Sequence, residues 1–388
     1  MLNILYIGNA ESIHDIKWMC YFSEKTEHYR IFAVNEKQNK ISEKTAEYLT
    51  SQNINILPPI DTFSLRSPLK TRASIKILKS YITKYNINIV HVLFASPHAL
   101  WINYLTIPAV ITTRGSDVLR VLPELKKQGG LKVLYFRYLF GLFKKSFAKA
   151  VALTSTSKAQ IKQIETLFGR PDSVLIRTGI EVDAIIHIDK PELLNKKLQN
   201  QKFIFSPRFM APVYNIDIQT EALKYLPSEL IKNFIFVFVR GKNYDKAYYQ
   251  NQVQKLEKLE KEIGLQYIVE EYLDQETLWM YFKKASLSIM TPISDGTPNS
   301  ALEAMAAGSP LILPDLPYDA DLFENGCMVT TITDAKTVAD TIIKALNDYP
   351  QNRIGLATDR VKTKGNRAIE MAKLEKIYTR MSMDIVHS

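Results

Sequence analysis

Short apolar runs alternate with helix-like stretches along nearly the whole chain, and this alternation constrains the fold more than any single residue does. Runs at 3–8, 88–93, 108–112 and 150–154 are interleaved with stretches such as 70–85 and 157–168, the rhythm of strand, crossover helix and parallel strand. A second series at 203–206, 234–239, 267–269, 286–290 and 310–313 is separated by helix-like segments at 215–226, 244–264, 275–284, 299–307 and 334–347. The expectation is an α/β chain with two doubly wound parallel-sheet, Rossmann-like domains. At 388 residues the chain has length for two cores. Between the two series, 179–202 loses the pattern and fills with residues such as Asp189, Lys190, Glu192, Asn195, Lys196 and Lys197. The domains are therefore read as 1–180 and 203–365, with a linker at 181–202. The tail, 366–388, is helix-like, and its Ile369, Met371, Leu374, Ile377 and Tyr378 need a partner surface.

The densest chemistry follows the run 285–290. Asp295 and Glu303 stand eight positions apart with a helix start between them. Thr297 reads as the N-cap and Pro298 as the first helical residue, which leaves the backbone N–H groups of Asn299 and Ser300 aimed at the loop holding Asp295. Such a helix start suits a phosphate. Glu303, under two turns further on, is close enough to the same mouth to accept hydrogen bonds from hydroxyls. After the helix formers at 304–307, Gly308 is the stop and 310–314 a buried parallel strand. In open parallel sheets ligands bind at the carboxyl ends of the strands, so two fixed acceptors beside an anion cradle suggest a sugar nucleotide. The competing reading leaves Glu303 in solvent and Asp295 as an ordinary turn residue.

Residues 295–310 resemble the Glu/Asp-x7-Glu signature of retaining, GT-B-fold glycosyltransferases of family four, the glycosyl transferases group 1. The likeness extends over nearly the whole chain, through 3–8, 113–118 and 206–208. It implies two domains facing a cleft, the nucleotide-sugar donor on the C-terminal domain, the acceptor on the N-terminal domain, and a tail crossing back to the latter. By the same resemblance Glu303 holds the donor ribose, Asp295 contacts the donor sugar and Arg208 clamps the diphosphate, and these three are read as catalytic. A bidentate guanidinium suits phosphate oxygens. Many relatives carry Lys six positions after that arginine; here Tyr214 stands there, followed by Asn215, which with Lys242 is a candidate to assist Arg208.

Arg240, Gly241 and Lys242 end the strand 234–239, where backbone groups of the family frame the base; a solvated basic turn is the alternative. Gly8, after the first strand, and Gly296, Thr297, Pro298, Asn299 and Ser300 complete the donor-binding set. His14, His98, Arg114 and Asp117 are candidates on the acceptor side. Arg114 stands where relatives often carry His or Trp, and a cation there suits an acidic acceptor or a lipid phosphate. Asp117 reads equally as an N-cap. For His14, His91 and His98 packing competes with catalysis, most strongly for His91, which ends an apolar run. Residues 177–183 resemble the domain-crossing segment of the family. Asp319 and Asp321 follow Pro317 in a loop, and the resemblance implies no bound metal and no cofactor beyond the nucleotide-sugar co-substrate.

The formal net charge is +10, a surface that attracts anionic substrates, nucleic acid or anionic membrane. The charge is mostly scattered and no nucleic-acid motif accompanies it, which argues against nucleic acid as a partner. One concentration stands out, at 126–149, where Lys126, Lys127, Lys132, Arg137, Lys144, Lys145 and Lys149 interleave with Leu131, Leu134, Phe136, Tyr138, Phe140, Phe143 and Phe147. That pattern fits a helix lying in an anionic bilayer interface and equally a core helix with solvated lysines. No run approaches the ~18 apolar residues of a membrane span, and the N-terminus enters a strand without a basic leader, so the expected location is the cytoplasm or the inner face of the cell membrane. Cys20 and Cys327 fall in different domains and read as buried apolar fillers.

The Gly-x-Gly-x-x-Gly fingerprint of a nicotinamide enzyme is absent. The reading is a retaining, metal-independent, hexosyltransferase-type enzyme acting on a carbohydrate or lipid-linked acceptor in bacterial cell-surface polysaccharide or glycolipid assembly. A sugar-nucleotide epimerase of similar fold and a non-catalytic nucleotide-sugar-binding subunit stay open as alternatives.

Overall fold

The computed structural model of the chain describes residues 1–127, 133–242 and 244–386, with side chains as far as 383. It divides into two compact units, Met1–Thr178 with Glu370–Ser388, and Gly179–Ile369. The first unit holds strands β1 (Leu2–Gly8), β2 (Tyr29–Glu36), β3 (Ile54–Ile60), β4 (Ile89–Leu93), β5 (Ala109–Thr113), β6 (Ala152–Ser155) and β7 (Val174–Leu175) in the order β3-β2-β1-β4-β5-β6-β7. Every pairing is parallel. Alternate residues feed two cores: Leu5, Ile7, Val90 and Val92 pack on one side, and Ile4, Tyr6, Ile89 and Leu93 on the other. Continuous apolar runs follow from this burial of both faces.

The second unit repeats the design with β8 (Phe203–Phe209), β9 (Ile235–Val239), β10 (Gln266–Glu270), β11 (Leu287–Ile289), β12 (Leu311–Pro314) and β13 (Met328–Thr330), in the order β10-β9-β8-β11-β12-β13 and again parallel. Phe203, Phe205 and Val237 enter one core, Ile204, Phe236 and Phe238 the other.

Four strands go beyond the sequence expectation. β3, β7 and β13 are edge strands. β3 carries Pro58 and Pro59, whose missing N–H groups are tolerated at an edge, and β7 and β13 have only 2 and 3 residues. β2 is interior. The segment 181–202, expected as a linker, folds into the second unit instead. It forms the helix Val182–His187 and two 3₁₀ turns, Pro191–Leu193 and Lys196–Leu198. Ile185, Leu194 and Leu198 join the core around Phe203 and Met280, so a few apolar residues anchor a stretch whose composition is polar.

The final helix, Arg367–Val386, joins the first unit from Glu370 onward. Met371, Leu374, Tyr378 and Met381 are buried, whereas Ile369, expected to need cover, stays 44% exposed. The Tyr378 hydroxyl is hydrogen-bonded to Tyr6 Oη at 2.9 Å and to His91 Nδ1, and His91 Nε2 pairs with Thr112 Oγ1 at 2.6 Å, which in turn meets Thr154 Oγ1 at 2.6 Å. His91 thus lies within β4, at the centre of a buried polar file, rather than at a strand end. At the helix start Glu370 accepts from Arg177 N at 2.8 Å, and Lys25 reaches Glu375 at 2.6 Å.

The helix Val133–Lys149 divides its faces along its length. Phe143, Ser146 and Phe147 are buried in the core, while Leu134 and Tyr138 are 75% and 62% exposed. Lys126 lies over the Phe140 ring and Arg66 over Tyr135. Leu131 and Lys132, counted above with this helix, lie outside the described residues. Cys20 and Cys327 are buried free thiols, and among the described residues no helix is long and apolar enough to cross a membrane.

Two predictions rest on the Tyr378 file. Tyr378→Phe removes two buried hydrogen bonds and strands His91 Nδ1, so chemical denaturation should give a loss of about 1–3 kcal/mol. Burial, with the Arg114 charge adding to it, holds the His91 pKa well below its ordinary value. The folded state therefore resists a proton that the unfolded chain accepts. This contribution is fully present above the unfolded pKa of about 6.5 and is lost as pH falls below it, by up to ~1.4 kcal/mol per pH unit. His91→Gln should be less stable at pH 8 yet show a shallower decline in stability between pH 7 and 5 than the parent.

Candidate functional site

The loops leaving β8, β11 and β12 emerge side by side, because these strands are neighbours in the parallel sheet of the second unit. The ladder between β8 and β9 slips between Ser206 and Phe209, where Pro207 offers no N–H. Irregularities of this kind re-aim side chains next to ligand sites. Arg208, inside the slip, donates from Nη1 to Ser300 Oγ at 2.8 Å and from Nη2 to Asp295 Oδ2 at 3.0 Å. Gly296 N donates to Asp295 Oδ1 at 2.8 Å. The structure thus brings together Arg208, Asp295, Gly296 and Ser300, all expected donor-site residues. Their ion pair keeps contact with solvent, Arg208 being 16% and Asp295 18% exposed in their side chains.

The signature helix runs Asn299–Ala306 with Pro298 as its N-cap, at φ −71° and ψ 114°. This moves the helix start one residue beyond the expectation, which gave the cap to Thr297. The extended ψ keeps Pro298 outside the helix, and its side chain has no oxygen to cap with. The first amide to bond back is Ala301 N, to Pro298 O at 3.0 Å. Among the described residues the amides of Asn299 and Ser300 have no backbone acceptor, as a helix start leaves them. Glu303 lies on this helix and is buried, flanked by buried Ala301, Leu302, Ala304 and Met305.

Tyr214 ends the short turn Pro212–Tyr214, and the Arg208 guanidinium stacks on its ring, 4.1 Å from the centroid. Asn215 follows in the left-handed region, φ 51°, and its carbonyl accepts from Thr291 Oγ1 at 3.1 Å, tying the loops after β8 and β11 together. Gly241 also has positive φ, and a Cβ there would collide with the Phe209 ring. Glycine is needed at that position for packing against β8. Arg240 pairs with Glu271 at 3.0 Å and lies over Tyr244, while Lys242 rests 4.2 Å over Tyr272. The basic turn is thus an ordered one.

Sequence reasoning passed over Tyr318, in the loop after β12. Its buried hydroxyl has no hydrogen-bond partner among the described residues. Burial foremost, and then the Asp295 charge, push its pKa far above the ordinary tyrosine value, with Arg208 opposing. A tyrosine four residues past a short apolar strand carries no sequence signal that would single it out.

The first unit gathers a separate polar cluster after β1, β2, β4 and β5. Arg114 Nη2 donates to Asp15 Oδ1 at 2.8 Å with both side chains nearly closed off, 10% and 8% exposed, and the guanidinium lies over Trp18. A Cβ at Gly8 would strike the Asp15 carboxylate, so this glycine makes room for an acidic side chain within its own unit. Asp117 collects the amides of Ala95, Arg114, Gly115 and Val118 at 2.8 to 3.2 Å. His98 Nδ1 donates to Leu93 O at 3.0 Å and its Nε2 is 3.8 Å from Glu36, whose Oε1 is buried without a partner among the described residues. His14 is exposed in the first turn of the helix Ile13–Ser23. Burial raises the pKa of Asp15 and Asp117 and lowers that of Arg114, opposed for Asp15 by the Arg114 charge, for Asp117 by backbone donors and for Arg114 by the charges of Asp15 and Asp117. The Arg114 charge is neutralised inside its own unit.

Among the described residues no group of three or more His, Cys, Asp or Glu is placed to hold a metal ion. What the second unit does offer is a cation, two helix-start amides without a backbone acceptor among the described residues and two acidic side chains, on elements that neighbouring strands hold in register.

Residues 189–358 match the family Glycosyl transferases group 1, and residues 3–157 match Glycosyl transferase 4-like. A comparison with curated protein sequences finds no match. Among solved structures, a glycosyltransferase from Rickettsia africae ESF-5 is similar at 14% identity and TM-score 0.73, over 98% of each chain. HepE of Anabaena in complex with UDP is similar at 13% identity and TM-score 0.73, over 97% of this chain and 100% of that one. Sucrose-phosphate synthase of Thermosynechococcus elongatus is similar at 14% identity and TM-score 0.72, over 99% and 100%. These likenesses extend the GT-B fold to both parallel-sheet units, and with one family match falling on each unit the chain resembles the group 1 glycosyltransferases.

Proposed function

We propose that this protein is a retaining glycosyltransferase that moves a sugar from a nucleotide diphosphate sugar, held by the second unit, to a carbohydrate or lipid-linked acceptor on the first. The observation that carries this reading is the arrangement around Arg208: a partly exposed guanidinium tied to Asp295 and Ser300, beside the helix start at Asn299 and Ser300. The UDP-glucose complex of Anabaena HepE, similar at 14% identity, supports a nucleotide sugar as the ligand class.

In such a transfer the difficult event is breaking the anomeric C–O bond, with negative charge building on the departing diphosphate. Arg208 and the helix-start amides meet that charge as it forms, and preorganised donors favour the transition state over the ground state. Asp295 contacts hydroxyls of the transferred sugar and Glu303 those of the ribose. Attack and departure share one face, with the leaving phosphate taking the proton of the acceptor hydroxyl. No metal is assigned to the reaction, because the side-chain cation and the amides supply the positive field.

We place the reaction at the inner face of a bacterial cell membrane, in cell-surface polysaccharide or glycolipid assembly. Support comes from exposed Leu134 and Tyr138 among Lys126, Lys127, Arg137, Lys144 and Lys145, an apolar patch with cationic flanks suited to anionic lipid. Co-sedimentation with phosphatidylglycerol vesicles at low salt tests it, and wild type left wholly in the supernatant would end the membrane part of the reading.

Thermal unfolding against UDP, GDP, ADP, TDP and CMP should show one nucleotide raising Tm by several degrees, since a ligand at ~100 times its Kd adds about 2.7 kcal/mol. Glu303→Ala should keep its fold and lose most activity, its affinity for that nucleotide falling about 10- to 100-fold. Turnover near wild type would reject the ribose role. For Arg208→Ala, kcat should fall about 10²- to 10³-fold with a smaller change in KM, whereas a change confined to KM would reduce Arg208 to a binding group.

A further inference from the structure

We infer that Tyr214 is the positioning residue for Arg208: its ring holds the face of the guanidinium, so that the edge can exchange the Asp295 carboxylate for a ligand phosphate without the arginine losing its place. This rests on the reading of Arg208 as the group that meets the donor diphosphate.

A guanidinium is planar, with all its N–H donors in the plane and a π face free for stacking. Arg208 uses the two surfaces separately. Its edge carries the bonds to Ser300 and Asp295, and its face lies on Tyr214 with Cζ 4.1 Å from the ring centroid, well inside the ~6 Å range of such contacts. Nothing that approaches the edge has to displace the ring. The Tyr214 platform is itself fixed: its N–H donates to Ala211 O at 2.9 Å, its carbonyl accepts from Thr291 Oγ1 at 3.4 Å, and Ile293 N binds Val213 O at 2.9 Å. Gln219 Nε2 holds Thr291 Oγ1 at 2.8 Å, and the Phe209 ring stands edge-on to Tyr214.

The edge contacts are of the exchangeable kind. The Arg208–Asp295 pair is partly exposed, and an arriving phosphate competes for the Nη2 donor that Asp295 now occupies. An arginine held only by that carboxylate would return to many rotamers on losing it. Stacked on Tyr214, it keeps its position through the exchange, while Asp295 stays anchored through Gly296 N and has an oxygen released for a sugar hydroxyl.

The test compares Tyr214→Leu and Tyr214→Phe by calorimetric titration. The probes are whichever of UDP, GDP, ADP and TDP raises the wild-type Tm, and the matching bare nucleoside. Tyr214→Leu should bind the diphosphate about tenfold more weakly with nucleoside affinity unchanged, and Tyr214→Phe should stay within twofold of wild type for both, because the ring and not the hydroxyl does the holding. Should Tyr214→Leu fail to fold, Tyr214→Met fills the same space without a π face and is expected to give the same result. Equal losses for nucleoside and diphosphate would mean that the loop as a whole had been disturbed, and would overturn the inference. So would wild-type diphosphate affinity in Tyr214→Leu, or a Tyr214→Phe as impaired as Tyr214→Leu. A wild type that binds its diphosphate normally while these patterns fail leaves the transferase reading standing; a wild type that binds none of the four removes that reading and this inference with it.

Discussion

Burial of both faces of both sheets is the constraint from which the rest follows. A strand whose alternate side chains enter two separate apolar cores has no place for charge along its length, so charged groups collect where the strands end. Arg208, Arg240 and Lys242 on one unit, and Glu36, Arg114 and Asp117 on the other, all sit at or just beyond such ends. A polar file that does run through an interior, Tyr6–Tyr378–His91–Thr112–Thr154, consists of groups that stay neutral and bond to one another in sequence. A buried hydroxyl with its partners made costs little, and one without them costs the whole desolvation penalty. The last helix supplies one of the hydroxyls and so becomes part of the first unit's core.

Two arginine–aspartate pairs illustrate what exposure does to the same chemistry. Arg114–Asp15 is shut in, and parting two such charges would leave each of them unpaired in a low-dielectric surrounding. It therefore behaves as structure, fixing the helix Ile13–Ser23 against the loop after β5. Arg208–Asp295 has a similar separation and keeps more contact with water, its side chains being 16% and 18% exposed, so a group arriving from solvent reaches its edge more readily than it reaches the Arg114–Asp15 pair.

Much of this was legible in the sequence, because local periodicity carries it. The interior strands other than β2, several of the helices between them and the signature loop follow from apolar runs and from Gly and Pro punctuation, and the Asp295–Glu303 spacing marked the loop and helix after β11. Legibility failed where the deciding contact is remote, at three of the four edge strands and at the interior strand β2. Arg114 and Asp15 are 99 residues apart and His91 and Tyr378 are 287 apart, so neither pairing leaves a trace in local pattern. Edge strands β3, β7 and β13 need no long apolar run and show none. The helix start slipped by one residue because Thr297 and Pro298 are both good terminal residues, and only backbone dihedrals decide between them. In 181–202 charged residues outnumber the few apolar ones that anchor the segment, and composition followed the majority.

Tyr214 also bears on the field at the ends of β8, β9 and β10. A lysine at that position would add a charge, but next to Arg208 it would repel its neighbour whenever no anion was bound. A ring adds no charge and removes none. The same arrangement recurs along the row: Arg240 lies over Tyr244 and Lys242 over Tyr272, as Arg208 lies over Tyr214. Ordering a cation with a carboxylate cancels its field at a distance, whereas ordering it on an aromatic face leaves that field intact. Arg208 and Arg240 each have one carboxylate as well, so the stacked rings keep three cations in place with fewer cancelling charges than full ion pairing would require. An anionic ligand approaching these strand ends meets a positive field whose sources are already ordered, and the reorganisation that would otherwise accompany binding is correspondingly small.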